Sequence, residues 1–101
     1  MYMPPEIVRH QKYDAKVDVW SSGCVAYVLL SGKPPFNGKT KEQVYERILR
    51  KDLDFKTREW KSISKDAQNF LLKVLEKDPV KRISVAEALQ HDWLKKTPQE
   101  L

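Results

Sequence analysis

The longest apolar run of the chain extends from Val19 to Leu30, where nine of the twelve residues are apolar and none is charged. A helix formed by these residues has no face suited to water, so the pattern predicts a central helix that the later helices and loops bury on all sides. The run is shorter than a membrane span, which needs about 20 apolar residues, and Gly32 and Pro34 end it. We therefore expect this helix to form the core of a globular unit.

Three shorter helices are predicted after this run, at 40–50, 64–78 and 84–90, and each begins with a capping signal. The first and third begin with a capping box, in which a Thr or Ser hydroxyl and a Gln or Glu three residues later bond to free backbone N–H groups, and the second begins with a capping serine. Apolar residues at helical spacing mark the inward faces of the first two helices: Val44, Tyr45, Ile48, Leu49, Ala67, Phe70, Leu71, Val74 and Leu75. The loop before the second helix is expected to dock through Phe55 and Trp60. The sequence has no strand pattern, so the predicted fold is all-α.

The composition fits one small globular domain or a part of one, since 41% of the 101 residues are apolar. The net charge of +5 arises from 19 basic and 14 acidic residues that are interleaved along the chain, which indicates a mixed solvated surface and argues against nucleic-acid binding. The first residues show no basic segment followed by an apolar run. We therefore expect no signal peptide, no membrane attachment and an intracellular, cytoplasmic location.

Cys24 is the only cysteine, and its place within the apolar run predicts a buried, unreactive thiol. A single cysteine excludes a disulfide within one chain. His10 and His91 are distant from it in sequence, and one cysteine with two distant histidines cannot supply four ligands at a usual zinc spacing. We therefore expect no metal site and a solvated or structural role for either histidine.

Four motifs occur in order along the chain: Pro4-Pro5-Glu6, Asp-Val-Trp-Ser-Ser-Gly at 18–23, Ser-Gly-Lys-Pro-Pro-Phe at 31–36 and Asp-Pro-Val-Lys-Arg-Ile-Ser at 78–84. Together they resemble the C-terminal lobe of a eukaryotic protein kinase domain, from the Ala-Pro-Glu motif that closes the activation segment to the segment before the last helix. The loop after the central helix and His-Asp-Trp-Leu at 91–94 are most similar to calcium-dependent and calmodulin-dependent Ser/Thr kinases. The resemblance implies a partial, truncated kinase domain over residues 1–96 and a tail over 97–101.

The resemblance also implies an activity for the parent protein, which would transfer the γ-phosphate of ATP to Ser or Thr of protein substrates with magnesium, under calcium control through a separate domain. The 101 residues contain no glycine-rich loop, strand lysine, His-Arg-Asp motif or Asp-Phe-Gly motif, and no EF-hand loop. We therefore expect no catalytic residue and no bound cofactor in this chain. It would supply the C-lobe scaffold and part of the substrate-docking surface, with the kinase N-lobe and protein substrates as partners.

Four residues have structural roles in the resemblance. The family pairs the glutamate of its Ala-Pro-Glu motif with the arginine before the last helix, so Glu6 and Arg82 are expected to form an ion pair. The alternative is two solvated charges. Asp18 matches an aspartate that accepts backbone N–H groups of the catalytic loop, and in this chain plain N-capping of the central helix is the expected state. Trp20 is expected in the core.

Three residues match substrate-contacting positions of the family. Glu46 matches a glutamate that in some basic-directed kinases contacts an arginine of the peptide, and a solvated helix face stays open as an equal alternative. Tyr2 and Met3 match the pocket for the residue after the phosphorylated one. Pro4 replaces the usual alanine there, which removes a backbone donor and stiffens the loop.

A second hypothesis for the chain is a non-catalytic helical protein-interaction module. The two hypotheses differ in the surroundings of the central helix. A module covers this helix with its own residues, whereas a part of a kinase leaves apolar surface exposed, and such surface favours self-association. On the kinase hypothesis we therefore expect the chain to form dimers or larger assemblies.

Overall fold

The computed structural model describes residues 3–9 and 15–95, and this part of the chain is helical without a strand. Its elements are α1 (Pro5–Val8), α2 (Lys16–Ser31), α3 (Lys41–Arg50), a 3-10 turn (Arg58–Trp60), α4 (Lys65–Val74), α5 (Val85–Leu89) and α6 (Asp92–Lys95). Helices α4 and α5 pack against α2, α1 packs against α3, and α6 packs against α4 and α5. The predicted all-α fold around one central helix is confirmed.

The central helix α2 starts before the apolar run. Ala15 precedes its first turn without a side-chain capping bond, and Asp18 lies inside that turn. The prediction that Asp18 caps the helix is therefore wrong. The helix starts at Lys16, which tertiary contacts hold in place, since its Nζ donates to the carbonyl oxygen of Pro79 at 3.0 Å. At the other end Gly32 adopts the left-handed conformation (φ 76°) that the sequence predicts.

The burial of α2 is one-sided, where the apolar pattern predicts burial on all sides. Its buried residues are Val19, Trp20, Gly23, Cys24 and Tyr27. On the remaining surface Val25, Val28 and Leu29 are 43%, 41% and 79% exposed. The reason is that α4 and α5 pack on one side of the helix, and within the described residues nothing fully covers these three side chains. We call Val25, Val28 and Leu29 the exposed α2 face.

The close approach of α2 to α4 depends on Gly23. A Cβ atom at this position would lie 2.7 Å from Cγ2 of Val74 and 2.9 Å from Cδ2 of Leu75. Helix α4 ends at Val74, earlier than the predicted end at residue 78. After the helix the carbonyl groups of Glu76 and Lys77 accept hydrogen bonds from the side chain of Arg82.

The capping signals read from the sequence form in the structure. Ser84 and Glu87 make both bonds of the predicted capping box at the start of α5, and the serine before α4 caps that helix. At the start of α3 the Thr40 hydroxyl accepts from the N–H of Gln43 at 3.1 Å. One bond differs from the prediction, because the Gln43 side chain accepts from the N–H of Lys39 at 2.8 Å and reaches one residue further than a standard box.

Aromatic side chains fasten the loops to the core. Phe36, after α2, stacks on Trp20 with ring centroids 5.7 Å apart. Trp60 is buried and makes edge contacts with Tyr27 at 4.8 Å and with Phe55 at 4.7 Å between centroids. The loop between α3 and α4 therefore docks through the two predicted anchors.

Candidate functional site

A buried ion pair joins α1, at the start of the described chain, to the loop before α5. Glu6 lies in α1 and Arg82 in the loop before α5, and both side chains are 0% exposed. Nη1 and Nη2 of Arg82 donate to Oε2 and Oε1 of Glu6 at 2.8 and 2.9 Å. This two-point contact matches the planar guanidinium to the planar carboxylate. The structure thus brings together the two residues that the resemblance pairs, and neither of them is a solvated charge.

The guanidinium of Arg82 also bonds to three backbone carbonyl oxygens. Nε donates to Glu76 at 2.7 Å, Nη1 to Lys16 at 3.1 Å and Nη2 to Lys77 at 3.3 Å. Together with the two bonds to Glu6, these contacts use all five N–H donors of an arginine side chain. The Arg82 side chain therefore connects α1, the start of α2 and the loop after α4.

Trp20 lies against this ion pair in the core. The guanidinium carbon of Arg82 stands 5.0 Å from the centre of the Trp20 ring, within the range of a cation–π contact. A guanidinium does not release its proton in proteins, and both carboxylate oxygens of Glu6 already accept hydrogen bonds. The arrangement is therefore suited to holding the fold together and not to moving a proton.

The segment before α1 carries two of the expected substrate residues. Met3 is half-buried, and Tyr2 lies outside the described residues. Pro4 is buried and fits without strain, because its φ of −67° is the value that the proline ring favours. Its carbonyl accepts from two N–H groups of the following turn. The proline in place of the usual alanine therefore leaves this turn intact.

Glu46 lies on the exposed surface of α3 and makes no ion pair with a described residue. It lines an open cleft of about 420 Å³ together with Gln43, Arg47, Arg50 and Lys51. An exposed carboxylate of this kind can accept charge-assisted bonds from a peptide arginine. Helix α1, which follows Met3, packs against α3, but Met3 does not line the Glu46 cleft.

Asp18 presents an exposed carboxylate near the start of α2. Its own backbone N–H donates to the carbonyl of Ala15 at 3.1 Å. No hydrogen bond joins its carboxylate to another described residue. The carboxylate is therefore open to donors from outside this part of the chain.

Lys77 is a site residue that the sequence analysis does not single out. Its Nζ donates to the carbonyl oxygen of Ile48 at 2.5 Å and lies 4.3 Å from the centre of the Phe36 ring. Burial lowers the pKa of Lys77 from its usual value to about 8, although nearby carboxylates oppose this shift. No local pattern reveals these contacts, because Ile48 and Phe36 lie far from Lys77 in sequence.

Cys24 is buried as predicted and has a weakly acidic thiol. Burial raises the pKa of Cys24 to about 12, and the positive charge of Arg82 offsets only part of this effect. Since the thiolate is the nucleophile and the metal ligand, the folded chain presents no reactive thiol at this position.

Metal-ligating side chains are not gathered within the described ranges, where no three His, Cys, Asp or Glu residues are placed to hold an ion. Over the same ranges, none of the helices is both long enough and apolar enough to traverse a bilayer.

Comparisons with known proteins point to one family. The family model described as "Protein kinase domain" matches residues 1–94. Calcium-dependent protein kinase 29 of Arabidopsis thaliana is 46% identical over 95% of this chain, and Calcium-dependent protein kinase 19 of Oryza sativa subsp. japonica is 44% identical over 93% of it. The twitchin kinase region from C. elegans matches 94% of the chain with a TM-score of 0.89 at 30% identity.

These relatives are much longer than the chain. The matched segment spans 18% of Calcium-dependent protein kinase 29, 17% of Calcium-dependent protein kinase 19 and 17% of the twitchin chain. The resemblance read from the four motifs is confirmed, and so is the similarity to calcium-dependent kinases.

Proposed function

Because the chain belongs to the protein kinase domain family, we propose that it forms the C-terminal-lobe part of a calcium-regulated Ser/Thr protein kinase. The parent protein transfers the γ-phosphate of ATP to Ser or Thr side chains of protein substrates. The observation that carries the proposal is the buried Glu6–Arg82 pair, which joins the first and the last of the four motifs. In this proposal residues 1–96 belong to the kinase domain and residues 97–101 form a tail.

The chain contributes the scaffold and not the reacting groups. Phosphoryl transfer needs a glycine-rich loop, a lysine and acidic magnesium ligands in fixed positions, and none of the corresponding motifs occurs in the 101 residues. The residues present therefore do not fit ATP or its magnesium ion, and no step of the transfer is assigned to them. We expect the chain by itself to be inactive.

Part of the substrate-docking surface lies on α3 and on the segment before α1. The exposed Glu46 carboxylate, without an ion-pair partner in the described chain, supports contact with an arginine of the substrate. Met3 and Tyr2 contribute to the pocket for the residue after the phosphorylated one. The neighbouring position of α1 and α3 supports a single continuous substrate path.

The rest of the kinase domain covers two features that the chain leaves open. The Asp18 carboxylate accepts backbone N–H groups of the catalytic loop, and the exposed α2 face packs against preceding elements of the domain. Three large apolar side chains on one helix support this role. In isolation the same face brings two or more copies of the chain together.

A chimeric kinase tests the proposal. The matching segment of Calcium-dependent protein kinase 29 is replaced by residues 1–96 of this chain, and transfer of labelled γ-phosphate to a peptide with Ser and Arg is measured. We expect transfer by the chimera and none by the 101-residue chain alone. Arg82→Ala in the chimera should abolish transfer, whereas Lys65→Ala, at an exposed position away from the Glu46 cleft, should retain it. A folded chimera without activity would contradict the scaffold role.

The exposed α2 face favours the kinase proposal over the alternative of a helical protein-interaction module, which would cover this helix with its own residues. The two candidates differ in what covers this face. Sedimentation of the 101-residue chain decides between them: assemblies that Leu29→Glu dissociates support the kinase proposal, and a stable monomer that binds no apolar dye supports the module.

A further inference from the structure

Lys77 connects two parts of the molecule that are distant in sequence. It lies in the loop after α4, and its Nζ donates to the carbonyl oxygen of Ile48, in the last turn of α3, at 2.5 Å. The same ammonium group lies 4.3 Å from the centre of the Phe36 ring, which belongs to the loop between α2 and α3. One side chain therefore contacts both the loop that leads into α3 and the end of that helix.

The end of α3 is suited to such a cation. The last carbonyl groups of a helix have no partner within the helix and carry partial negative charge. A hydrogen bond from an ammonium group to one of them is stronger than a bond between neutral groups. Ile48 is also the buried residue of α3. Lys77 thus bonds to α3 at its buried residue, while the rest of the helix is more exposed.

The charge on Lys77 depends on its surroundings. Burial disfavours the ammonium form, Asp52 and Glu76 favour it, and Arg9 disfavours it. The resulting pKa of about 8 means that Lys77 loses its proton just above neutral pH. A neutral amine can still donate to Ile48, but it loses the attraction to the aromatic ring and to the helix end.

We propose that Lys77 is a positioning residue whose ammonium group, held between Ile48 and Phe36, fixes the end of α3 on the body of the domain. Lys77 does not line the Glu46 cleft. The consequence for substrates rests on the proposed function: if Glu46 contacts a substrate arginine, Lys77 determines where this carboxylate stands without contacting the substrate itself.

Hydrogen exchange of the 101-residue chain, measured by mass spectrometry at pH 7, tests the positioning role. In Lys77→Met we expect the amides of α3 to exchange about tenfold faster, as the loss of a hydrogen bond to a charged group implies. The amides of α2 and α4 should exchange within about twofold of the original rate, because their packing does not use Lys77. Lys65→Met, at an exposed position on α4, is the matched control and should leave α3 unchanged.

Two outcomes would overturn the proposal: unchanged exchange of α3, or equal acceleration of all helices, which indicates a general loss of stability. Lys77→Arg retains the cation and should restore slow exchange in α3. If Lys77→Met does not fold, Lys77→Gln decides, because its side chain is polar but carries no charge. Faster exchange of α3 relative to α4 in this variant supports the role, and exchange of α3 as slow as in the original chain refutes it.

The effect on substrates is measured in the chimeric kinase. We expect Lys77→Met to raise KM for an arginine-containing peptide several-fold with little change in kcat, because α3 is displaced and the reacting groups are not. Lys77→Arg should restore KM. If Glu46→Gln leaves KM unchanged, the proposed docking role of Glu46 fails. The hydrogen-exchange result still decides whether Lys77 positions α3.

Discussion

Replacement of Arg82 by alanine tests the contact that joins α1 to the loop before α5. The substitution leaves the Glu6 carboxylate in a site with no exposed surface. It also removes the donors from the carbonyl groups of Lys16, Glu76 and Lys77. Removing one partner of a buried ion pair costs about 3–5 kcal/mol, because the other charge stays buried without compensation.

The expected change in thermal stability is large for a chain of this size. One kcal/mol corresponds to about 4–8 °C in Tm for a small domain, so Arg82→Ala should lower the Tm by at least about 12 °C. Arg50→Ala, at an exposed position on α3, is the matched control and should change the free energy of unfolding by less than about 0.5 kcal/mol. Calorimetry gives the Tm, and urea unfolding followed by circular dichroism gives the free energy of unfolding.

Equal effects of Arg82→Ala and Arg50→Ala would refute the reasoning. A double variant provides a second test. Glu6→Gln combined with Arg82→Met removes both charges, and it should be less destabilising than Arg82→Ala alone because no buried charge is left without a partner. If the double variant is the less stable of the two, the stranded carboxylate is not the source of the loss.

Three further predictions concern packing, capping and pH. Gly23→Ala should lower the free energy of unfolding by about 1–3 kcal/mol because its Cβ overlaps α4. Gly32→Ala meets open space at φ 76° and should cost about 1 kcal/mol. A larger loss for Gly32→Ala in urea unfolding would contradict the close approach of α2 to α4. His91→Ala removes the ring nitrogen that accepts from the N–H of Trp93 at 3.1 Å. It should speed hydrogen exchange in α6 without lowering the free energy of unfolding by more than about 1 kcal/mol. The pKa of Cys24 is raised from 9.0 to about 12 in the folded chain. The unfolded chain therefore loses this proton first, and the free energy of unfolding should fall as the pH rises between these two pKa values. Cys24→Ala should reduce this dependence on pH, and an equal dependence in both chains would exclude the thiol as its source.

The starts of α3, α4 and α5 could be read from the sequence because their signals are local. The capping box of Ser84 and Glu87 and the capping bond of Thr40 each involve atoms within a few residues of one another. The same holds for the end of α2, where Gly32 takes the left-handed conformation next to the last helical turn. A short peptide contains all the groups that decide these features.

The resemblance to kinases predicted the Glu6–Arg82 pair, which local patterns could not. These two residues are 76 positions apart, and their bonds depend on the way the chain returns to its start. The resemblance did not point to Lys77, although this side chain bridges the end of α3 and the loop before it. Neither helical periodicity nor a capping signal marks a lysine that bonds to a distant carbonyl group.

The order and the type of α2 to α5 were thus determined by the sequence, since the apolar spacing and the capping residues act within one or two helical turns. Which side of α2 is covered was decided only by the tertiary structure. An apolar run favours burial equally in every direction, and the placement of α4 and α5 leaves Val25, Val28 and Leu29 exposed. In the tertiary structure α4 likewise ends early and Asp18 lies inside the first turn of α2, and at both places the backbone or side chains bond to groups distant in sequence.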